Sequence, residues 1–257
     1  MKRPTGSRPG KGKGKGTGSG PGASPGQGPA ARPGTGPSGG VRAGAVKLRR
    51  ARKLTPASQR WLTRQLNDPY VQAAQREGWR SRAAYKLIEL DERFKLLKPD
   101  QRVLDLGAAP GGWTQVAVKQ GARIVVGIDL LEIEPIPGSV LIQGDFLDDS
   151  MPDRLRELLG GDADLVLSDM APNTTGHANT DHIRIMALAE TALDFALGVL
   201  APGGAFVAKV FQGGSERGML ELLKRHFTQV RHAKPPASRK DSSELYVVAQ
   251  GYRASRD

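Results

Sequence analysis

The predicted fold of this 257-residue chain depends on one segment, Val103-Leu-Asp-Leu-Gly-Ala-Ala-Pro-Gly-Gly-Trp113. The segment starts as a short apolar run of the kind that forms buried strands, and it then breaks into a turn with three glycines and a proline. From Thr114 onward the sequence becomes helical in character. A strand, a glycine turn and a helix predict a nucleotide-sized site, because small residues let a ligand approach the backbone and a helix start presents free N–H groups.

Strands and helices alternate along the chain after this segment. Three helices are predicted before it, at residues 58–67, 70–77 and from 81 onward. Six further strands are predicted over residues 123–128, 140–142, 163–167, 205–210, 227–231 and 245–250, with helices over 151–159, 181–200 and 216–225. Helices between strands imply a parallel sheet, whereas the short final connection permits an antiparallel last strand. We therefore predict a doubly wound α/β domain with a mostly parallel seven-stranded sheet and ligands at its carboxyl edge.

The formal charge of the chain, +12, is concentrated near its amino-terminal end. No Asp or Glu occurs before Asp68, and 15 of the 38 Lys and Arg lie in residues 1–67. From Asp68 onward there are 23 basic and 26 acidic residues, a net charge of −3. The basic excess therefore belongs to the amino-terminal segment and not to the globular part.

The amino-terminal segment has the composition of a disordered arm. Residues 1–40 contain 14 Gly and 7 Pro, which bury too little apolar surface to offset the entropy of ordering. We predict a disordered basic arm over residues 1–53 and one domain over 54–257, with its core at about 58–252. The basic run at 47–53 suits contact with nucleic-acid phosphates, and a solubilising tail is the alternative.

Composition also excludes several classes of protein. The chain has no cysteine, which excludes disulfides and thiolate metal sites, and its four histidines lack metal-type spacing, so no metal is expected. No apolar run reaches about 18 residues, so no transmembrane helix is expected. The chain starts Met-Lys-Arg without an apolar segment after it, which does not fit a secretory signal. The expected location is cytoplasmic, without a membrane partner.

Three aspartates close consecutive predicted strands. Asp129 follows Gly107 by 22 residues, and Asp145 and Asp169 end the next two strands. An acid at the first position can bind ribose hydroxyls, and one at the second can reach an adenine amino group. Three carboxylates suit a cationic ligand without phosphates, such as S-adenosylmethionine, and the glycine spacing fits neither a nicotinamide site nor a phosphate-binding loop. Taken singly, each aspartate is equally well explained as a turn or helix-cap residue.

Six blocks of sequence resemble a known family. In order they are Ser81-Arg-Ala-Ala-Tyr-Lys-Leu87, Asp105-Leu-Gly-Ala-Ala-Pro-Gly-Gly-Trp113, Gln143-Gly-Asp-Phe146, Ser168-Asp-Met-Ala-Pro-Asn173, Lys209-Val-Phe-Gln-Gly213 and Ser242-Ser-Glu-Leu-Tyr246. Together they resemble the RrmJ/FtsJ family of RNA ribose 2′-O-methyltransferases, over roughly residues 58–252. The resemblance implies a Rossmann-like class I S-adenosylmethionine-dependent methyltransferase. One small departure is Ala84, where relatives often carry an aromatic residue.

The resemblance also implies the functional residues. The family uses a catalytic Lys-Asp-Lys-Glu tetrad, which corresponds here to Lys86, Asp169, Lys209 and Glu244. Its cofactor contacts correspond to Gly111, Trp113, Asp129, Asp145 and Asp169. No metal ligand is implied.

The chemistry of a ribose hydroxyl suggests roles for the tetrad. The hydroxyl is a poor nucleophile until its proton is removed or strongly polarised, whereas a methyl group on a sulfonium is already activated. We hypothesise that Lys209 orients and deprotonates the hydroxyl, the alternative being that it stays charged and only orients it. Asp169 would position Lys209, Lys86 would steady the ribose or its phosphate, and Glu244 would hold a lysine in place.

The acceptor implied by the resemblance is a uridine in the A loop of 23S rRNA, within the large ribosomal subunit or its late precursor. RNA contacts are expected from local basic groups, because the globular part is nearly neutral. The candidates are Arg80, Arg82 and Lys86, the run from Lys224 to Arg231, Lys234, Arg239 and Lys240, and the arm at 47–53.

Three other functions are alternatives to methylation of ribosomal RNA. They are methylation of a tRNA anticodon loop, a non-catalytic assembly factor and a nicotinamide oxidoreductase. The intact tetrad argues against the second of these, and the glycine spacing argues against the third.

Overall fold

The structure is a computed structural model, and it describes residues 55–172, 175–212 and 217–254. The predicted disordered arm over residues 1–53 lies outside the described residues. The elements follow in the order α1 (Pro56–Leu66), α2 (Pro69–Glu77), α3 (Ala83–Phe94), β1 (Arg102–Leu106), α4 (Gly112–Lys119), β2 (Ile124–Asp129), β3 (Ser139–Gln143), α5 (Met151–Leu159), β4 (Ala163–Ser168), α6 (Ala178–Val199), β5 (Leu200–Phe211), α7 (Arg217–His226), β6 (Phe227–Ala233) and β7 (Glu244–Tyr252). In this part of the chain, no helix is both long and apolar enough to cross a membrane.

The strands form one seven-stranded sheet in the order β3-β2-β1-β4-β5-β7-β6. Neighbouring strands from β3 to β5 pair in parallel, and β7 runs antiparallel to both β5 and β6. The predicted doubly wound sheet with an antiparallel last strand is therefore confirmed. The strand order reverses between β1 and β4, and a crevice forms at the carboxyl ends of strands that flank such a switch point.

The two faces of the sheet are covered by different helices. Alternate strand residues point to opposite faces, so Val103 packs with α2, α3 and α4, whereas Leu104 packs with α5, α6 and α7. The same alternation continues in β4, where Leu165 joins the first cluster and Val166 joins the second. Burial on both faces fixes the register of the central strands, and with it the position of their carboxyl ends.

The first two helices begin earlier than predicted. Thr55 caps α1 by accepting a hydrogen bond from the backbone N–H of Ser58 at 3.2 Å, and Pro56 occupies the first turn. Asp68 caps α2 by accepting from the N–H of Tyr70 at 3.0 Å. A polar cap followed by proline is a helix start, because proline lacks only an N–H that would have no partner there. The Asp68-Pro69 pair therefore starts the second helix.

The start of β5 also differs from the prediction, which placed it at residue 205. Leu200 already pairs with Ala163, and pairing resumes where Ala205 faces Leu165. The intervening residues 201–204 bulge out of the ladder, and Gly203 takes a left-handed φ of 84° that favours glycine. The predicted bounds left residues 201–204, which include Pro202-Gly203-Gly204, as the connection between a helix and a strand, whereas these residues form a bulge within β5.

Candidate active site

The glycine turn follows β1 and leads directly into α4. Gly107 has a φ of 73°, and a Cβ there would lie 2.2 Å from Cγ of Met170. Gly111 has a φ of 105°, and a Cβ there would lie 2.6 Å from Cδ1 of Ile136. Both positions therefore favour glycine for conformation, and Gly107 also lacks space for a side chain. The turn holds the first N–H groups of α4 at the carboxyl edge of the sheet.

A cavity of about 540 Å³ lies at this edge, which we call the strand-end cavity. Its lining residues include Gly107, Ala109, Ile128, Asp129, Leu130, Leu131, Gly144, Asp145, Phe146, Leu147, Asp169, Met170, Ala171, Pro172 and Leu188. The three aspartates predicted to share one ligand therefore lie in one cavity. Its volume is within the range of small-molecule sites, about 300–1,000 Å³.

Two of these aspartates are anchored by backbone groups. Asp129 accepts hydrogen bonds from the N–H of Ala109 and of Leu131, each at 2.9 Å, and thereby ties the glycine turn to the end of β2. Asp145 accepts one from the N–H of Leu147 at 3.0 Å. The turn-forming interpretation of each acid is thus correct in part, but a carboxylate has about four acceptor sites and keeps capacity for a ligand.

The two remaining predicted cofactor residues lie elsewhere. Trp113 is buried, and its indole N–H donates to the carbonyl of Ala83 at 2.8 Å. It lines a small cavity of about 40 Å³ under the glycine turn, which also touches Ser81 and Asp169. The Cβ position of Gly111 faces Ile136 and Arg80 instead of the strand-end cavity.

The predicted tetrad is assembled around the carboxylate of Asp169. Nζ of Lys209, on β5, lies 2.7 Å from Oδ1 of Asp169 and also donates to the Asp169 carbonyl at 2.8 Å. Nζ of Lys86, on α3, lies 3.5 Å from the same Oδ1 and 3.0 Å from both carboxylate oxygens of Glu244. Lys209 lies 3.9 Å from Glu244. Two ammonium groups and two carboxylates therefore share one small, mostly buried volume.

Tyr246 is a fifth member of this cluster that the sequence analysis missed. Its hydroxyl donates to Oδ1 of Asp169 at 2.5 Å and accepts from Nζ of Lys86 at 2.9 Å. Burial raises the pKa of Tyr246 well above its usual value, and the charges of Asp169 and Glu244 add to the effect. The phenol therefore stays a neutral donor. The sequence did contain a signal for Tyr246. Side chains two residues apart on a strand point to the same side, so Tyr246 shares a face with Glu244.

Asp169 is held in its charged form. Burial acts to raise the pKa of Asp169, but the ammonium groups of Lys209 and Lys86 and the hydrogen bonds from Lys209 and Tyr246 outweigh it. The pKa therefore lies below its usual value. A buried carboxylate stays ionised at neutral pH only with such compensation.

A second cavity of about 540 Å³, the lysine-side cavity, opens on the other side of the tetrad. Its lining includes Arg64, Ser81, Arg82, Ala83, Lys86, Pro110, Arg239, Asp241, Ser242 and Glu244. The small cavity under the glycine turn shares Ser81, Ala83 and Pro110 with it, and shares Asp169 with the strand-end cavity. The two large cavities therefore approach each other at the tetrad.

The arginines beside Lys86 do not form the predicted basic patch. Arg80 donates to the carbonyls of Pro110, Glu134 and Pro135 at 3.1, 2.5 and 2.8 Å. Arg82 forms an ion pair with Asp68 and donates to the carbonyl of Ala237. Both guanidinium groups bind carbonyl or carboxylate groups of the protein itself, so they are not the free RNA-facing charges that the sequence suggested.

Residues 79–252 match the family whose description is FtsJ-like methyltransferase. The chain belongs to this family. Two proteins named Ribosomal RNA large subunit methyltransferase E are similar to it. That of Granulibacter bethesdensis is 69% identical over 214 residues, covering 83% of this chain and 93% of the relative. That of Gluconobacter oxydans is 68% identical over 211 residues, covering 82% and 79%.

A solved structure supports the same assignment. A Plasmodium falciparum protein described as a ribosomal RNA methyltransferase superimposes with a TM-score of 0.62 at 32% identity, covering 69% of this chain and all of that chain. The family resemblance and the Rossmann-like methyltransferase fold predicted from sequence are thus confirmed. Within the described parts of this FtsJ-like methyltransferase, no group of three or more His, Asp or Glu could hold a metal ion.

The loop between β6 and β7 supports the tetrad of the methyltransferase. The hydroxyl of Ser238 donates to Oε1 of Glu244 at 2.7 Å. The preceding residue, Ala237, is fully buried and is held at both of its backbone polar groups. Its N–H donates to Glu89 at 2.6 Å, and its carbonyl accepts from Arg82. Residues of α3 and the turn before it therefore fix the loop that orients Glu244.

Asp105 is a buried acid that the sequence analysis did not assign to the site. It is the last residue but one of β1, lines the small cavity, and accepts a hydrogen bond from the hydroxyl of Thr114 at 2.7 Å. Burial raises the pKa of Asp105 to about 7, partly offset by the Thr114 hydrogen bond, and the charge of Asp169 raises it further. An acid within an apolar strand was the signal that could have identified it.

The raised pKa of Asp105 predicts a pH-dependent stability. Its usual value is 3.8, so between pH 4 and 7 the folded protein retains a proton that the unfolded chain has lost. The free energy of unfolding therefore falls as pH rises through this window, by up to about 1.4 kcal/mol for each pH unit, and it levels off above pH 7. We expect Asp105→Asn to flatten this slope in urea unfolding at pH 5 to 8. The exposed Asp149→Asn is the control, and an unchanged slope in the Asp105 variant would contradict the assignment.

Proposed function

We propose that the chain transfers a methyl group from S-adenosylmethionine to the ribose 2′-hydroxyl of a uridine in the A loop of 23S rRNA, within the large ribosomal subunit or its late precursor. The observation that carries the proposal is the tetrad at the junction of two cavities. One cavity carries three carboxylates and the other carries arginines, so the two suit a cationic donor and an anionic acceptor. The names of the relatives support ribosomal RNA as the substrate class.

The residues of the strand-end cavity fit the proposed donor. Asp129 and Asp145 stand where carboxylates can bind ribose hydroxyls and an adenine amino group, and apolar side chains such as Ile128 and Phe146 complete the lining. Bound there, S-adenosylmethionine would supply a methyl group activated by its sulfonium. Asp169 reaches both the donor cavity and the tetrad, and its negative charge suits a neighbouring cation.

An unpartnered group beside the small cavity fits the amino-acid end of the donor. Among the described residues, the buried Oγ of Ser81 has no hydrogen-bond partner. Although Ser81 precedes α3 in the chain, its Oγ lies close to Gly112, the first residue of α4. A Cβ on Gly112 would be 2.5 Å from this oxygen. A hydroxyl beside a helix amino terminus suits a carboxylate, because the first N–H groups of a helix are free to donate. We therefore add Ser81 to the proposed donor-binding residues.

The contacts of Lys209 are compatible with a role as base. A neutral amine has two N–H groups and one lone pair. Oδ1 and the carbonyl of Asp169 can accept both N–H groups, which leaves the lone pair for the 2′-hydroxyl proton. In the alternative, Lys209 remains an ammonium and its third N–H only orients the hydroxyl oxygen. Lys86, which lines the lysine-side cavity, would steady the ribose or its phosphate, and Glu244 would hold Lys86.

The reaction and its substrate can be tested together. Purified protein is incubated with labelled S-adenosylmethionine and with large-subunit particles that lack the modification, and the methylated nucleotide is then mapped. We expect one label, on the 2′-oxygen of an A-loop uridine. A label on a base, or transfer to tRNA alone, would contradict the proposed function.

Lys209 is the residue on which methyl transfer should depend most strongly. We expect Lys209→Ala to lower the single-turnover rate at least about 100-fold, because general bases contribute typically 100- to 10,000-fold. Binding of the donor, measured by calorimetry, should be largely preserved. Lys98→Ala removes an exposed lysine from the loop after α3 and serves as the control. A normal rate in the Lys209 variant would refute the assignment.

The same assay distinguishes the two roles of Lys209. A pH–rate profile under single-turnover conditions should show an ionisation that disappears in Lys209→Arg, because arginine keeps the charge but does not act as a base at these pH values. If Lys209 only orients the hydroxyl, Lys209→Arg should retain much of the rate and the wild-type profile should lack that ionisation.

Ser238 should act on the reaction through Glu244. Ser238→Ala removes one hydrogen bond to a charged group, and we expect the single-turnover rate to fall about tenfold with little change in donor affinity. Ser238→Thr keeps the hydroxyl and should restore most of the rate. If both variants are equally impaired, the loss of packing at this buried position, and not the hydrogen bond, is responsible.

A further inference from the structure

The rim of the lysine-side cavity carries two guanidinium groups that have no individual role in the proposed reaction. Arg64 is exposed at the end of α1, and Arg239 lies in the loop between β6 and β7. Both line the cavity whose inner end is formed by Lys86 and Glu244. Two separate elements therefore present arginine side chains to the cavity that Lys86 and Glu244 also line.

The other charges around this cavity are already compensated. Lys86 and Glu244 pair within the tetrad, and Arg82 pairs with Asp68. Asp241 is the remaining acid in the lining, so the two rim arginines face a single uncompensated carboxylate. The rim therefore carries a net positive charge next to a nearly neutral tetrad.

Arg239 is held loosely enough to accept an anionic ligand. Its side chain is 32% exposed and lies 3.8 Å from Oδ2 of Asp68, whose charge the closer Arg82 already balances. Its Nη2 also donates to Oε1 of Gln65 at 3.3 Å, on the helix that carries Arg64. These contacts hold Arg239 next to the helix that carries Arg64 and leave about a third of the Arg239 side chain open to solvent.

We propose that Arg64 and Arg239 form a binding site for one backbone phosphate of the acceptor RNA, next to the ribose that is methylated. This inference rests on the proposed function. A ribose whose 2′-hydroxyl reaches the tetrad carries a phosphate on the oxygen of the adjacent carbon, so that anion must lie close by in the same cavity. Guanidinium groups suit it because they bind phosphate oxygens with two parallel hydrogen bonds. Such a contact positions the RNA without reading its sequence.

The test measures binding of Arg64→Gln, Arg239→Gln and the double variant to large-subunit particles that lack the modification, over a range of salt concentrations. Arg123→Gln is the matched control, because Arg123 is exposed at the amino-terminal edge of the sheet, next to the start of β2. We expect each single substitution to raise Kd about tenfold and to lower the slope of log Kd against log salt by about one. In the double variant, Kd should rise by less than the product of the two single-variant factors, because both groups bind one anion.

Further measurements separate this site from other causes. Donor affinity and the rate at saturating particle concentration should stay within about threefold of wild type, because neither arginine touches the reacting atoms. Arg64→Lys and Arg239→Lys should keep the salt slope while losing part of the affinity. The proposal is overturned if the double variant binds within about twofold of Arg123→Gln. If the wild type itself places no methyl group on ribose, the proposed function fails, which is a different result.

Discussion

The carboxylate of Asp169 is the group on which the proposed site depends. One of its oxygens lies within hydrogen-bond or ion-pair distance of Lys209, Lys86 and Tyr246, which belong to three different elements. A buried anion is costly unless it is paired, and without this carboxylate Lys209 would lose its closest ion pair and Tyr246 would lose the acceptor of its hydroxyl. The carboxylate therefore joins α3, β4, β5 and β7 at one point, and it does so beside the cavity proposed for the methyl donor.

The direction of β7 makes this convergence possible. Because β7 runs antiparallel, its first residues lie at the same edge as the last residues of the parallel strands. Tyr246 is paired with Lys209, and Glu244 with Phe211, so side chains from the start of one strand meet those from the end of another. A parallel last strand would have placed Glu244 at the opposite edge of the sheet.

Much of this arrangement could be predicted from local patterns. The alternation of strands and helices gave the correct sheet, and Asp129, Asp145 and Asp169 were placed together because carboxyl ends of parallel strands share an edge. Lys86 and Glu244 could be assigned only through the family resemblance, since 158 residues separate them. Contacts of that range depend on tertiary packing, which no local pattern encodes.

The errors have the same physical origin. Arg80 and Arg82 were interpreted as a basic patch because the sequence does not show the carbonyls and the carboxylate that they meet in the fold. Tyr246 and Asp105 were missed because an apolar run hides the polar groups within it. The early start of β5 was missed because a Pro-Gly-Gly sequence is typical of a loop, yet four residues can bulge from a strand whose pairing continues on both sides.

The ion pair between Asp68 and Arg82 has a consequence for dissecting the protein. The family match begins at residue 79, but Asp68 lies before that boundary and neutralises an arginine that holds the loop carrying Ser238. A fragment cut at the family boundary would leave this arginine without its buried counter-ion. We therefore expect the smallest stably folded fragment to extend beyond the amino-terminal boundary of the family match, to include at least the cap of α2.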